Sequence, residues 1–170
     1  MKLGALALHS YSPAARDRLI VALDVPTVAD ARALVAALGD SVGVYKIGLE
    51  LVMQGGLDLA RALAADGRKV FLDMKLLDIA NTVEKAAANI ARLGVDLLTV
   101  HGHDRKTLDA AVRGRGAAAT RLLSVTVLTS LDAADLAEQG AALSPRDLVL
   151  RRARLAAEAG LDGVIASGEE

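Results

Sequence analysis

Short apolar runs and helical patterns alternate strictly along this chain, and that alternation limits the folds open to it. Leu19–Asp24 is the first apolar run, Val42–Gly48 the second and Val70–Lys75 the third. Asp96–His101, Leu122–Thr129 and Asp162–Ser167 complete a set of six. Runs apolar on both faces suit buried parallel strands. Helix signals stand between them. Thr27-Val28-Ala29-Asp30 reads as a capping box, with Val28, Ala31, Leu34, Val35 and Leu38 following at helical spacing and Gly39 as the stop. Asp104 caps a short helix to about Val112, and Gly114-Arg115-Gly116 reads as a loop. Ser144-Pro145-Arg146-Asp147 opens a helix that Gly160 ends. A segment broken at Gly55-Gly56 resumes from Leu57 to Ala65, and Asn81-Thr82-Val83-Glu84 reads as a second capping box. Each β/α unit takes about 25 to 30 residues. The expected fold class is therefore α/β, with a parallel sheet covered by helices.

Two architectures meet that description: a doubly wound open sheet and a (β/α)₈ TIM barrel. The polar residues choose between them. Asp24, Lys46, Asp73 with Lys75, His101, Thr129 and Ser167 all fall at or near the C-terminal ends of successive strands. A barrel brings those ends to one mouth, whereas an open sheet strings them along an edge. The sequence has no G-x-G-x-x-G or G-x-x-x-x-G-K-[ST] loop. We expect the barrel, with only about six of its eight units in these 170 residues. Two further units would take roughly 50 to 60 residues, the fold running to about 250 in all. Residues 1–17 read as an N-terminal extension rather than an export signal, because the apolar part is short and holds a single Lys before it. Residues 18–170 are expected to form the barrel domain, incomplete at its C-terminal end.

Composition excludes several functions. With 53% hydrophobic residues and 24% charged, the chain can bury a sizeable core. Aromatics are only 2%, so Ala, Leu, Val and Ile must build it. A net charge of -1 offers no electrostatic case for nucleic acid or a membrane surface. The chain has no cysteine, which removes disulfides and thiolate metal sites and suits the cytoplasm. No apolar run is long enough to span a bilayer.

The richest stretch is Val70-Phe71-Leu72-Asp73-Met74-Lys75-Leu76-Leu77-Asp78-Ile79-Ala80-Asn81-Thr82-Val83. Residues i and i+2 of a strand share a face, so Asp73 and Lys75 should point the same way, with Asp78 past the strand end. Taken alone, each polar residue has a structural use. Asp73 and Lys75 could be a strand-end ion pair, Asp24 a turn cap, Lys46 a snorkelling side chain and Thr129-Ser130 another cap. His101 and His103 suggest a metal pair, but their i, i+2 spacing lacks a carboxylate ligand, and no metal site is expected. The argument rests on the set. Two lysines and two or three aspartates at one mouth are costly to desolvate unless they pair, and such networks mark functional sites.

Phe71 to Thr82 resembles the D-x-K-x-x-D-I-x-N-T motif of the orotidine 5′-phosphate decarboxylase family. The other landmarks occur in the family's order: Leu19 to Asp24, Tyr45-Lys46-Ile47-Gly48 and Val127-Leu128-Thr129-Ser130. The resemblance covers residues 18–168. It implies decarboxylation of orotidine 5′-monophosphate (OMP) to uridine 5′-monophosphate (UMP) in pyrimidine biosynthesis, without metal or organic cofactor. It implies an alternating charge network of Lys46, Asp73, Lys75 and Asp78, with Lys75 the proton donor to C6 of the pyrimidine. Asp73 would stand beside the substrate carboxylate, and Lys46 would bind a ribose hydroxyl and hold Asp73. Asp24 would bind ribose and Thr129 would lie near the base. Asp78, Ile79 and Thr82 would reach the site of a second copy, making the active unit a homodimer.

The sequence departs from the family at Leu77 and Ala80, where many members carry His and Pro. Neither position supplies a network charge. The family's phosphate-gripping loop and arginine follow the sixth strand, and no arginine here takes that role, including Arg151, Arg152 and Arg154. Two other readings compete. One is a Mg²⁺-dependent sugar-phosphate decarboxylase or synthase of the same superfamily, which reuses D-x-K-x-x-D; Ile79 and Asn81-Thr82 favour the first reading over it. The other is a non-catalytic barrel fragment.

Overall fold

A computed structural model describes residues 15–168. Most of the expected N-terminal extension lies outside the described residues, and Ala15–Arg18 form a 3₁₀ turn. Six strands follow: β1 (Ile20–Ala22), β2 (Val44–Gly48), β3 (Lys69–Leu76), β4 (Leu97–His101), β5 (Arg121–Val125) and β6 (Gly163–Ile165). All neighbouring pairs are parallel, and the strand order is the chain order. A doubly wound sheet reverses its order at a switch point, and this sheet has none. Sequential order with helical crossovers is the curl of a (β/α)₈ barrel. Among the described residues β1 and β6 each pair with a single strand.

The helices are α1 (Val28–Leu38), α2 (Leu49–Leu51), α3 (Leu57–Ala65), α4 (Ala80–Ala91), α5 (Arg105–Arg115), α6 (Ala133–Glu138) and α7 (Pro145–Ala159). A π-type turn at Val52–Gly56, with Gly55 at φ 96°, joins α2 to α3 where the paired glycines interrupt the pattern. Thr27, Asp104 and Ser144 cap α1, α5 and α7 as their sequence positions require.

Three local expectations fail. First, α4 begins at Ala80 with Ile79 as N-cap and no side-chain cap, so Asn81 and Thr82 stand inside the first turn. Glu84 cannot close a capping box there and instead pairs with Arg113 at 2.9 Å. Second, Gly114-Arg115 belongs to α5, not to a loop. Gly114 survives inside a helix because a Cβ there would stand 2.2 Å from the Glu84 carbonyl oxygen of α4. Third, the fifth apolar run does not remain a strand to Thr129, and the connection after it contains α6, opened by a capping box between Asp132 and Asp135. The fifth strand ends at Val125, leaving Thr129 four residues beyond it.

Strand alternation divides the core into two layers. Tyr45, Ile47, Val70, Leu72, Leu98, Val100 and Leu122 face outward into the packed helices. Val44, Phe71 and Leu97, with Leu123 against them, form an inner layer near the strand starts. The register sets the inner positions: Lys46 pairs with Phe71, Gly48 with Asp73, and Phe71 with Leu97. Moving two residues along each strand from the inner apolar layer reaches Lys46, Asp73 and Thr99 on the same face. The core thus puts the polar residues at the C-terminal mouth.

Candidate active site

The mouth holds a chain of alternating charges drawn from β2, β3 and the segment just after β1. Lys46 Nζ lies 3.1 Å from Asp24 Oδ1 and 3.8 Å from Asp73 Oδ2. Lys75 Nζ donates to Asp73 Oδ2 at 2.7 Å. Asp73 is the innermost member, its side chain 15% exposed, and Asp24 at 61% is the outermost. Lys46 therefore sits nearer the ribose-side candidate Asp24 than Asp73, and reaches both. A Cβ at Gly48 would come within 3.5 Å of Asp24 and 3.6 Å of Lys46 Nζ, so glycine keeps the space beside that pair open.

Asp73 and Lys75 meet, but not on a straight strand. The β3–β4 register jumps between Leu72 and Leu76: Leu72 pairs with Leu98 and Leu76 with Val100. Four residues of β3 thus span two of β4, and Asp73-Met74-Lys75 form the bulge. Lys75 takes φ 49°, the one positive φ at a non-glycine among the described residues. For a long side chain that conformation carries strain. The bulge turns the ammonium back onto the Asp73 carboxylate.

Asp78 stays out of this network. Its Oδ1 accepts the Ile79 N–H at 2.6 Å, and it joins no ion pair among the described residues. Ile79 and Thr82 are exposed beside it. A cleft of about 450 Å³ runs past Lys75, Asp78 and Thr82, with Leu49, Met53 and Leu77 on its walls. Thr129 is exposed in the turn after β5 and contacts none of the four network residues among the recorded hydrogen bonds.

His101 ends β4 with its Nδ1 buried and without a hydrogen-bond partner among the described residues. Its ring meets that of His103 edge-on at 4.8 Å between centroids. Burial first, then His103 and the nearby Arg152 and Lys75, lower its pKa from 6.5 to about 4, against an opposing pull from Asp73. At neutral pH it adds no charge to the mouth. Arg152 is held by donating to the Thr126 carbonyl at 2.5 Å.

Two features escaped sequence reasoning. One is Thr99, fully buried in the middle of β4, whose hydroxyl touches both Asp73 and the Lys75 backbone. A threonine within Leu97-Leu98-Thr99-Val100, at the same strand parity as His101, was its available signal. The other is the bulge, for which no glycine prepares the chain. Another cleft, of about 580 Å³, lies against α7 and is lined by His103, Arg151, Arg152 and Arg154. Its charged groups form no ion pair among the described residues, so the paired chemistry lies at the β3 mouth and not in this second cleft.

Comparison with known proteins bears on this arrangement. Residues 17–170 match the family described as "Orotidine 5'-phosphate decarboxylase / HUMPS family". A Rhodopseudomonas palustris (strain BisA53) protein named orotidine 5'-phosphate decarboxylase is 56% identical over 156 residues, which is 92% of this chain and 66% of that protein. One of the same name from Bradyrhizobium sp. (strain ORS 278) is 55% identical, over 91% of this chain and 63% of its own length. The chain thus spans a little under two thirds of the length of these relatives. The crystal structure of orotidine 5'-phosphate decarboxylase from Lactobacillus acidophilus superposes with TM-score 0.81 at 36% identity, over 88% of this chain and 70% of that one. An uncharacterized conserved protein from Geobacillus kaustophilus superposes with TM-score 0.80, also at 36% identity, over 87% of this chain and 73% of that one.

Proposed function

The chain belongs to the orotidine 5′-phosphate decarboxylase / HUMPS family, and from that premise we propose that its mouth decarboxylates OMP to UMP and CO₂ without a cofactor. The observation that carries the reading is the Asp24–Lys46–Asp73–Lys75 chain of charges at the strand ends. In the reaction the bond from C6 to the carboxylate breaks, its electron pair stays on C6, and CO₂ leaves. A proton from Lys75 Nζ then joins C6, and the amine is reprotonated from solvent. The carbanion has no adjacent electron sink, so a fixed ammonium at C6 is the stabiliser that the step needs. Lys75 supplies both the charge and the proton.

Asp73 has two effects. Its Oδ2 holds the Lys75 ammonium in place. It also faces the substrate carboxylate, and two like charges about 4 Å apart at an effective dielectric near 20 repel by about 4 kcal/mol. Loss of CO₂ removes that repulsion. Lys46 steadies Asp73 and, with the exposed Asp24, offers a donor and an acceptor to the ribose hydroxyls. Thr129 is assigned to the base, contributed by the turn after β5.

Asp78, Ile79 and Thr82 are assigned to the site of a second copy. Their support is the exposed apolar surface around them, with Ile79 72% and Met53 77% exposed beside the cleft that holds Lys75. A homodimer would cover it. No helix among the described residues is long and apolar enough to cross a membrane, and the cysteine-free sequence suits the cytoplasm, where we place the protein.

Ultraviolet absorbance tests the reaction. Loss of the OMP signal in excess EDTA is the expected outcome. A strict requirement for Mg²⁺, or turnover of a sugar phosphate in its place, would overturn the assignment.

A further inference from the structure

We propose that Thr99 is a positioning residue that holds the β3 bulge in its working shape and fixes which oxygen of Asp73 faces the lysines. The proposal rests on the assignment of Lys75 and Asp73 to the reaction. Thr99 is 0% exposed, and its single hydroxyl makes two bonds. It accepts the Lys75 backbone N–H at 2.9 Å and donates to Asp73 Oδ1 at 2.9 Å.

Donor and acceptor rules leave the hydroxyl one orientation. A backbone N–H can only donate, so a lone pair of Oγ1 must meet it. The hydroxyl's one proton then goes to the carboxylate, which only accepts. Oδ1 is thereby committed to Thr99, and Oδ2 is left to face Lys75 Nζ at 2.7 Å and Lys46 Nζ at 3.8 Å. The same atom ties down the strained residue. Lys75 at φ 49° lies inside a register jump, where β4 offers no backbone carbonyl in step with its N–H. The threonine hydroxyl replaces that missing ladder bond. One buried oxygen thus sets the backbone of the proton donor and the rotamer of its partner carboxylate.

Thr99→Val keeps shape and removes the hydroxyl; Thr99→Ser keeps the hydroxyl and removes the methyl. For Thr99→Val we expect kcat on OMP to fall by about 10²-fold, the cost of a displacement of about 1 Å at a reacting group. KM should stay within about threefold, because Thr99 does not touch Asp24 or its 3.1 Å pairing with Lys46, the groups assigned to the ribose. Thr99→Ser should recover kcat to within about threefold of the parent. A crystal structure of Thr99→Val should show Lys75 moved from its positive φ and its ammonium moved off Asp73. A kcat for Thr99→Val within twofold of the parent, or a Thr99→Ser variant as impaired as Thr99→Val, overturns the proposal. If the parent protein fails to decarboxylate OMP, the functional assignment falls, and the crystal structures alone then judge Thr99: an unchanged bulge in Thr99→Val refutes the clamp.

Discussion

Buried polar groups at the mouth divide into paired and unpaired, and His101 is the clearest unpaired case. Burial and its neighbours depress its pKa to about 4 from an ordinary 6.5. Between those values the unfolded chain binds a proton that the folded chain refuses, so stability rises with pH across that window and falls as pH drops through it. His103 shifts in the same direction, first through burial and then through Arg152. Urea midpoints measured from pH 7 to pH 4 should therefore fall more steeply for the parent than for His101→Asn, with His103 supplying the slope that remains. Parallel curves for the two proteins would show that His101 is not the group responsible. The sequence made His101 visible as a strand-end histidine and set aside a metal pair with His103 for want of a carboxylate ligand. What the sequence did not show is that its half-buried ring meets His103 edge-on with Nδ1 unpartnered among the described residues. Asp73 and Lys75 were legible because strand parity predicts that they share a face. The bulge that brings them together was not legible, since the side chain bonded to its backbone is a threonine 24 positions away in sequence.

At the scale of elements, caps were legible and helix contacts were not. Thr27, Asp104 and Ser144 act through residues three positions on, so local sequence contains the whole interaction. Gly114 acts through α4, which no local pattern reveals, and a glycine so near Gly116 reads as a loop. Packing decides the sign of a substitution here. In an isolated helix Gly→Ala gains up to about 1 kcal/mol. At Gly114 the new Cβ would lie 2.2 Å from the Glu84 carbonyl oxygen and 3.0 Å from the Ala87 Cβ. Neither backbone nor a buried alanine can give way cheaply. Gly114→Ala should therefore lose about 1 to 3 kcal/mol, read as a lower urea midpoint at unchanged m-value. A midpoint at or above the parent's would mean that α4 and α5 separate freely, and the close-approach account would fail.

For the whole molecule, one arrangement of six strands explains both where the charges gather and where they do not. Sequential parallel order puts Asp24, Lys46, Asp73 and Lys75 at one mouth, while Asp78 lies in the turn between β3 and α4 and joins none of their ion pairs. That split was readable from the sequence, because Asp78 lies past the last strand residue while Asp73 and Lys75 do not. It makes a sharp prediction about assembly. On the proposed assignment, Lys75→Ala and Asp78→Ala should each be inactive alone, the first because the proposed proton donor is gone and the second because the charge proposed to serve another copy is gone. In a mixed dimer, the protomer carrying Asp78→Ala keeps its own Lys75 and receives an intact Asp78 from its partner. The other site has lost both. With random mixing half the dimers are mixed and one site in each is whole, so recovery should approach about a quarter of the parent activity. If Asp78 served its own barrel instead, every site would lack one residue or the other, and mixing would recover nothing. Unmixed controls at equal concentration exclude contamination. A recovery that disappears on dilution, as the dimers come apart, would tie the activity to the shared interface and not to a conformational effect within one chain.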